Sequence, residues 1–180
     1  MSRAFTLIEL LIVLVIIGLI SFMTAGAVAN ISHSTKLWME PKRIFTLIQQ
    51  TRNLAITKKQ FAVLCPSENS FDCKTDWQLP LIQFIDDNNN RKRDPFEPLI
   101  SQISPYLNVD RQIQYPRSQI RFDSEGRING FTGTLAYCSI GKTTGIILSR
   151  VGRIRFAQDL DNDGLPDIEP NKPVVCTTNL

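Results

Sequence analysis

The sequence predicts an α+β protein, a long N-terminal helix followed by an antiparallel β-sheet or sandwich domain. Three observations carry that reading. An uncharged apolar run starts at Phe5 and is interrupted only by Glu9; helix-spaced apolar residues recur between Ile44 and Ala55; and beyond residue 60 the chain breaks into short apolar runs separated by turn residues.

The N-terminal element comes first. Residues 1–25 read MSRAFTLIELLIVLVIIGLISFMTA, with a leader of four residues ahead of the apolar stretch. A secretory signal would carry a longer basic region before that stretch and a small-residue cleavage site after it; here the small residue, Ala4, precedes it. The segment is therefore read as retained, with residues 5–25 spanning a membrane. An acidic side chain in the hydrocarbon layer costs about 2.5–3.5 kcal/mol, so Glu9 requires a compensating partner.

These residues resemble the class III signal of type IV pilins and type II secretion pseudopilins. The resemblance implies that a prepilin peptidase cuts between Ala4 and Phe5 and methylates the new N-terminus, and that the Glu9 carboxylate recruits the amine of a neighbouring subunit during assembly. Ala4 departs from the glycine that most members carry. The resemblance further implies a type IV pilin-like fold. It places the chain in the bacterial inner membrane as a single-pass protein with a periplasmic domain, later assembled through its N-terminal helix with major and minor pilins into an extracellular pilus.

The helix is expected to continue to residue 58. Ile44, Leu47, Ile48, Thr51, Leu54 and Ala55 form a stripe able to pack on a sheet. Pro41 removes a helical hydrogen bond and predicts a kink or restart. The domain reading is thus 1–4 leader, 5–58 helix and 59–180 a β-rich periplasmic or extracellular domain. Residues 51–56 (TRNLAI) and the following FAVLCPSENSFDC resemble the helix end and first strand of the GspH/FimT class of minor pilins and pseudopilins, as do Trp77, FIDDNNNRKRDPFEPLI, FDSEGRING and SRVGRIR. Pro80 and the acidic stretch after residue 158 depart from that pattern.

Strands are expected at 61–65, 81–85, 99–104, 119–123, 134–138, 145–149, 153–157 and 173–177, with no helix between them, which argues for an antiparallel meander or small sandwich. The region beyond the helix suffices for one core. Its four cysteines, without CxxC or Cys/His spacing, suit an oxidising compartment rather than zinc. They allow three pairings. The reading favours Cys65–Cys73, closing a short loop, and Cys138–Cys176, tethering the C-terminus to a central strand.

Charge and motifs limit the function. The formal charge is +3, falling to +2 when Arg3 leaves with the leader, so an argument for a polyanionic partner must rest on local clusters. The single histidine, His33, falls on the helix away from the domain's loops, and phosphate-loop and HExxH motifs are missing, so the chain reads as a non-enzyme.

Two loops carry cation chemistry. Asp86, Asn88, Asn90, Asp94 and Glu97 occupy positions 1, 3, 5, 9 and 12 of a calcium-type loop, but Arg91 stands where a glycine is needed and Arg91, Lys92 and Arg93 oppose a cation, so a polar hairpin loop is the better reading. In DLDNDGLPDIE, Asp159, Asp161, Asp163 and Asp167 recur in a pattern suited to calcium, with Gly164 at the turn and Pro170 where a closing Glu belongs. An irregular loop would let Glu169 substitute for that ligand. A solvated acidic loop is the competing reading.

The last candidate is the hairpin SRVGRIRFA. Strand alternation turns Ile154 and Phe156 to one face and Arg153 and Arg155 to the other, about 7 Å apart, with Arg150 at the turn. Clustered guanidiniums suit phosphate oxygens and carry no base information. The pattern Arg150, Gly152, Arg153, Arg155 resembles the DNA-contacting motif of FimT-type minor pilins of natural transformation. It implies double-stranded DNA bound without sequence specificity, assisted by Lys142 and the run Arg91, Lys92, Arg93. The alternative is a purely structural minor pilin or type II secretion pseudopilin that primes or caps a filament. Residues 150–158 carry +3 and residues 159–170 carry −5, leaving −2; one bound Ca²⁺ brings the pair to zero.

Overall fold

The computed structural model describes residues 7–105, 110–139 and 142–176, with side chains described outside 20–38. Ala4 and Phe5 lie outside the described residues, as do the side chain of His33 and residues 20–25 of the expected span beyond their backbone. Judged on the described residues, no helix is long and apolar enough to cross a membrane. The chain forms two compact units, Met1–Trp38 and Met39–Leu180.

One helix, α1, covers Leu7–Lys58, with Glu9 in its first turn. In the first unit the side chains from Leu7 to Leu19 are exposed, Glu9 among them. The helix passes Pro41 without interruption, so the expected restart does not occur. It stops where Lys59 takes a left-handed conformation at φ 57° and Gln60 N donates to Ala55 O at 3.3 Å. That six-to-one bond satisfies a carbonyl the helix end would otherwise leave unpaired.

Among the described residues the second unit comprises helical residues 39–58 and ten strands: β1 Phe61–Pro66, β2 Leu81–Asp86, β3 Leu99–Ile103, β4 Arg111–Gln114, β5 Ile120–Phe122, β6 Gly133–Ser139, β7 Lys142–Leu148, β8 Ile154–Phe156, β9 Asp167–Glu169 and β10 Lys172–Pro173. They form a four-stranded sheet in the order β3-β2-β1-β5, a second in the order β4-β6-β7-β8, and a ribbon β10-β9. Every pairing is antiparallel. The fold is a helix followed by antiparallel sheets.

The principal core joins the helix to both sheets: Ile44, Leu47, Ile48 and Ala55 pack with Ala62 and Leu64 of β1, Ile120 and Phe122 of β5, and Leu135, Ile146 and Leu148 of β6 and β7. Strand alternation explains why β1 is apolar throughout. Ala62 and Leu64 face this core, while Val63 and Cys65 join Ile82 and Phe84 in a second cluster on the opposite face. A third cluster, Ala136, Ala157 and Val174, backs the second sheet. Thr51, fully buried on the apolar stripe, donates to Leu47 O at 2.8 Å and accepts from Gln83 Nε2 at 3.0 Å, which ties helix to β2. Phe45 and Phe156 stack with centroids 4.5 Å apart.

Disulfides join Cys65 to Cys73 and Cys138 to Cys176. Three regions differ from the strand expectations, one of them β9, Asp167–Glu169, which forms within the stretch expected to be an acidic loop. Arg111–Gln114 is a strand although it carries one apolar residue, because Arg111 turns its charge onto a buried carboxylate of the helix. Of the expected strand 173–177, only Pro173 is in a strand; residues 174–176 are irregular and held by Cys176, and residue 177 lies outside the described residues.

Candidate nucleic-acid interface and acidic loop

The β7–β8 hairpin turns through Ser149–Gly152. Gly152 N donates to Ser149 O at 2.9 Å, Ser149 N donates to Arg153 O at 3.1 Å, and the Ser149 hydroxyl accepts from Arg153 N at 3.1 Å. Gly152 has φ 79°, and a Cβ there would lie 2.9 Å from the Gly126 carbonyl carbon and closer still to its oxygen. Glycine is therefore dictated twice, by the left-handed backbone and by contact with a second turn.

That second turn, Asp123–Gly126, is closed by Gly126 N to Asp123 O at 2.8 Å and by the Asp123 carboxylate accepting from Glu125 N and Arg127 N. Two bonds bind the turns and helix together: Ile128 N donates to Arg150 O at 3.0 Å, and Arg52 Nε donates to Gly126 O at 3.0 Å. A groove of about 460 Å³ results, lined by Gln49, Arg52 and Asn53 of the helix and by Val151, Gly152, Arg153 and Ile154 of the hairpin. Sequence reasoning missed Arg52. Its signal was available: it follows Thr51, so it lies at the border of the apolar stripe, where a long side chain can reach over the packed face.

Among the described residues, Arg52, Arg150 and Arg153 form no ion pair. Arg150 and Arg153 are exposed. Arg155 is half-buried instead, and its Nη2 donates to Ile168 O at 3.4 Å, so part of its fork is committed to the β9 ribbon. Ile154 and Phe156, on the opposite strand face, pack on the main core. The structure thus brings Gly152 and Arg153 to one groove with Arg52, leaves Arg150 exposed at the hairpin turn, and turns Arg155 toward β9.

The other basic candidates lie elsewhere. Lys142 begins β7 and is exposed, six residues before Leu148 and so about 20 Å from the strand's hairpin end at strand rise. Arg91 and Arg93 sit over the rings of Phe131 and Phe71, at 5.8 and 5.0 Å from their centroids, and Arg93 Nη1 donates to Ser70 O at 3.1 Å. Lys92 is exposed between them.

The carboxylates of the loop carrying that run are engaged within the loop and by Arg121. Asp86, fully buried, pairs with Arg121 at 3.1 Å and accepts from Asn90 N and Arg91 N; Glu97 accepts from Asp87 N and Asp94 N; and Asn88 and Asn90 both donate to Asp94. Arg91 holds the turn place at φ 68°. Burial lowers the pKa of Arg121 from its ordinary value, with Asp86 opposing that effect. These carboxylates hold backbone and arginine, the work of a polar hairpin loop.

The acidic loop after β8 is arranged differently. One carboxylate oxygen from each of Asp159, Asp161 and Asp167 lies within 4.8 Å of the others. Asp159 accepts from Asn162 N at 2.7 Å and Gly164 N at 3.0 Å, and Asp167 Oδ2 accepts from Leu160 N at 2.7 Å. Asp163 stands outside this trio and accepts from Leu165 N at 2.8 Å. Glu169 is exposed and lies 3.9 Å from Lys172 Nζ.

A further polar centre fixes the helix. Glu40, buried on α1, pairs with Arg111 Nε of β4 at 2.7 Å and accepts from the Tyr137 hydroxyl of β6 at 3.0 Å. Burial, reinforced by Glu40, pushes the Tyr137 phenol well above its usual pKa.

Comparison with known proteins decides the family. The model described as Type II transport protein GspH matches residues 42–152, and the prokaryotic N-terminal methylation motif matches residues 1–25. The chain belongs to the GspH family. It is accordingly a minor pilin or pseudopilin of a type IV pilus or type II secretion machine, a structural, non-enzymatic subunit. The methylation motif implies processing by a prepilin peptidase, anchoring in the inner membrane and assembly with other pilins.

Among solved structures, this pilin is similar to the type IV minor pilin FimU of Pseudomonas aeruginosa in two crystal forms. One has 12% identity and TM-score 0.50, covering 71% of this chain and 89% of FimU; the other has 13% identity and TM-score 0.47, covering 64% and 87%. The former likeness supports the pilin fold. No curated protein sequence matches the chain.

Proposed function

We propose that this minor pilin binds double-stranded DNA without sequence specificity and serves pilus assembly and DNA capture in natural transformation, as the resemblance to FimT-type pilins implies. The observation that carries the reading is the pair Arg153 and Arg52 lining the groove where the β7–β8 hairpin meets the helix, with Arg150 exposed at the same turn, all three without carboxylate partners among the described residues. Guanidiniums of this kind contact phosphates and read no bases. Three phosphate contacts give a slope of log affinity against log salt near −2.7, and each Arg→Gln change flattens it by about 0.9. Fluorescence anisotropy with duplex DNA at low and moderate salt, comparing wild type with Arg150→Gln, Arg153→Gln and their combination, tests it. Equal binding by the double variant, or none by wild type at low salt, refutes the reading.

A second reading has its own observations. Gly152 is fixed by its contact with Gly126, and Arg155 bonds the Ile168 carbonyl, so two members of the motif have structural work. On that reading the chain is a purely structural minor pilin or type II pseudopilin that primes or caps its filament.

A further inference from the structure

We infer that the loop from Asp159 to Asp167 is a site for a hard divalent cation, calcium by its donor set, held by the carboxylates of Asp159, Asp161 and Asp167. Two independent observations meet here. The first is the convergence of three carboxylates, each with an oxygen within 4.8 Å of the others. Among the described residues, none of the three has an ion-pair partner.

The second observation is Asp167 itself. Its side chain is 0% exposed, yet only Oδ2 is satisfied, by Leu160 N at 2.7 Å, while Oδ1 is buried without a hydrogen-bond partner. A buried carboxylate oxygen without donor or cation is strongly unfavourable. A cation bound by the trio supplies the missing partner and removes the mutual repulsion of the three charges.

The chemistry selects the ion. All three donors are oxygens, as hard cations require, and His or Cys donors are missing from the cluster. Calcium accepts six to eight oxygens in flexible geometry, so water and backbone carbonyls complete a shell begun by three carboxylates. Magnesium demands near-ideal octahedral geometry and gives up water reluctantly, so it competes poorly for an exposed loop site. Without a bidentate closing Glu, affinity belongs to the weak range of extracellular modules, about 10⁻⁴–10⁻³ M.

The loop's place in the fold gives binding a structural effect. Asp167 opens β9, bridges to Gln158 just after β8, and precedes Ile168, whose carbonyl receives Arg155. An ion at Asp167 therefore holds together the two ends of the loop and the ribbon on which Arg155 rests.

Equilibrium dialysis of radiolabelled Ca²⁺ against the full chain in detergent micelles, with thermal melts in parallel, tests the site. Wild type should bind one ion in the stated range and melt at higher temperature with Ca²⁺, whereas equal Mg²⁺ has a several-fold smaller effect. Asp161→Asn, a change at an exposed residue, should weaken binding at least ten-fold while leaving the calcium-free melting temperature unchanged or raised. Asp167→Asn should abolish binding, and if that variant does not fold, Asp159→Asn with Asp161→Asn decides the matter. The Arg150→Gln and Arg153→Gln variant should bind calcium as wild type does. Absence of binding and of any thermal shift at 10-fold excess over the stated range overturns the proposal, as does Asp161→Asn binding like wild type.

Discussion

Gly152→Ala isolates the contact between the two turns, because Gly130 supplies a matched control. Both glycines have φ 79°, but a Cβ at Gly130 meets nothing within 4 Å, whereas one at Gly152 meets the Gly126 carbonyl. The left-handed backbone alone costs a non-glycine residue about 1–2 kcal/mol, so Gly130→Ala should lose that much. At Gly152 the obstacle is backbone and cannot rotate away. The turns must separate, weakening the Ile128–Arg150 and Arg52–Gly126 bonds, each worth about 1 kcal/mol. Gly152→Ala should therefore lose about 3–4 kcal/mol, and at about 3 °C per kcal/mol for a unit of this size its melting temperature should fall by about 10 °C, against about 5 °C for Gly130→Ala. Thermal melts of the full chain in detergent, followed by near-ultraviolet circular dichroism, measure both. Equal losses in the two variants would show that the turn contact contributes nothing.

Glu40→Leu should cost about 3–5 kcal/mol by leaving Arg111 buried without its partner, and adding Arg111→Leu should recover most of it, as chemical denaturation would show. The disulfides close separations of 8 and 38 residues, so removing Cys65–Cys73 should cost about 2.5 kcal/mol and Cys138–Cys176 about 4, read from the same unfolding curves with paired Cys→Ala variants. Burial raises the phenol pKa of Tyr115 and Tyr137 in the fold, so their contribution is intact below pH 10, where unfolded tyrosine is still protonated, and is lost as pH rises beyond it; the denaturation midpoint should fall from pH 9 to 11, less so with both changed to Phe. Mass spectrometry of assembled filaments should find an N-methylated Phe5, and Glu9→Leu should insert normally yet assemble poorly.

The helix and most strands were legible because their signals are local. The stripe from Ile44 to Ala55 announces both element and buried face, and the short apolar runs at 61–65 and 134–138 announce strands. Strand β4 was not, since RQIQ looks polar until Glu40, seventy-one residues away in sequence, is seen to neutralise Arg111. The same separation hid the groove. The arginines of the hairpin were visible as a pattern, but that Arg52 lines the same groove depends on two turns and a helix meeting in space. The acidic loop showed its alternating aspartates, while the burial of Asp167, which distinguishes it from a solvated loop, depends on contacts made only in the folded unit, among them its bridge to Gln158.

The bonds from the last five turns of α1 have a mechanical consequence. Load applied along helical residues 39–58 of the second unit would meet Glu40 first, then Thr51 and Arg52. The Glu40–Arg111 pair leads into the β4-β6-β7-β8 sheet, the Gln83–Thr51 bond into the β3-β2-β1-β5 sheet, and the Arg52–Gly126 bond into the turns between them. Force is thus divided between both sheets. Since the contacts are arranged along one helix, tension along it would load all three in shear instead of peeling them one at a time, and detaching the helix would break bonds to both sheets.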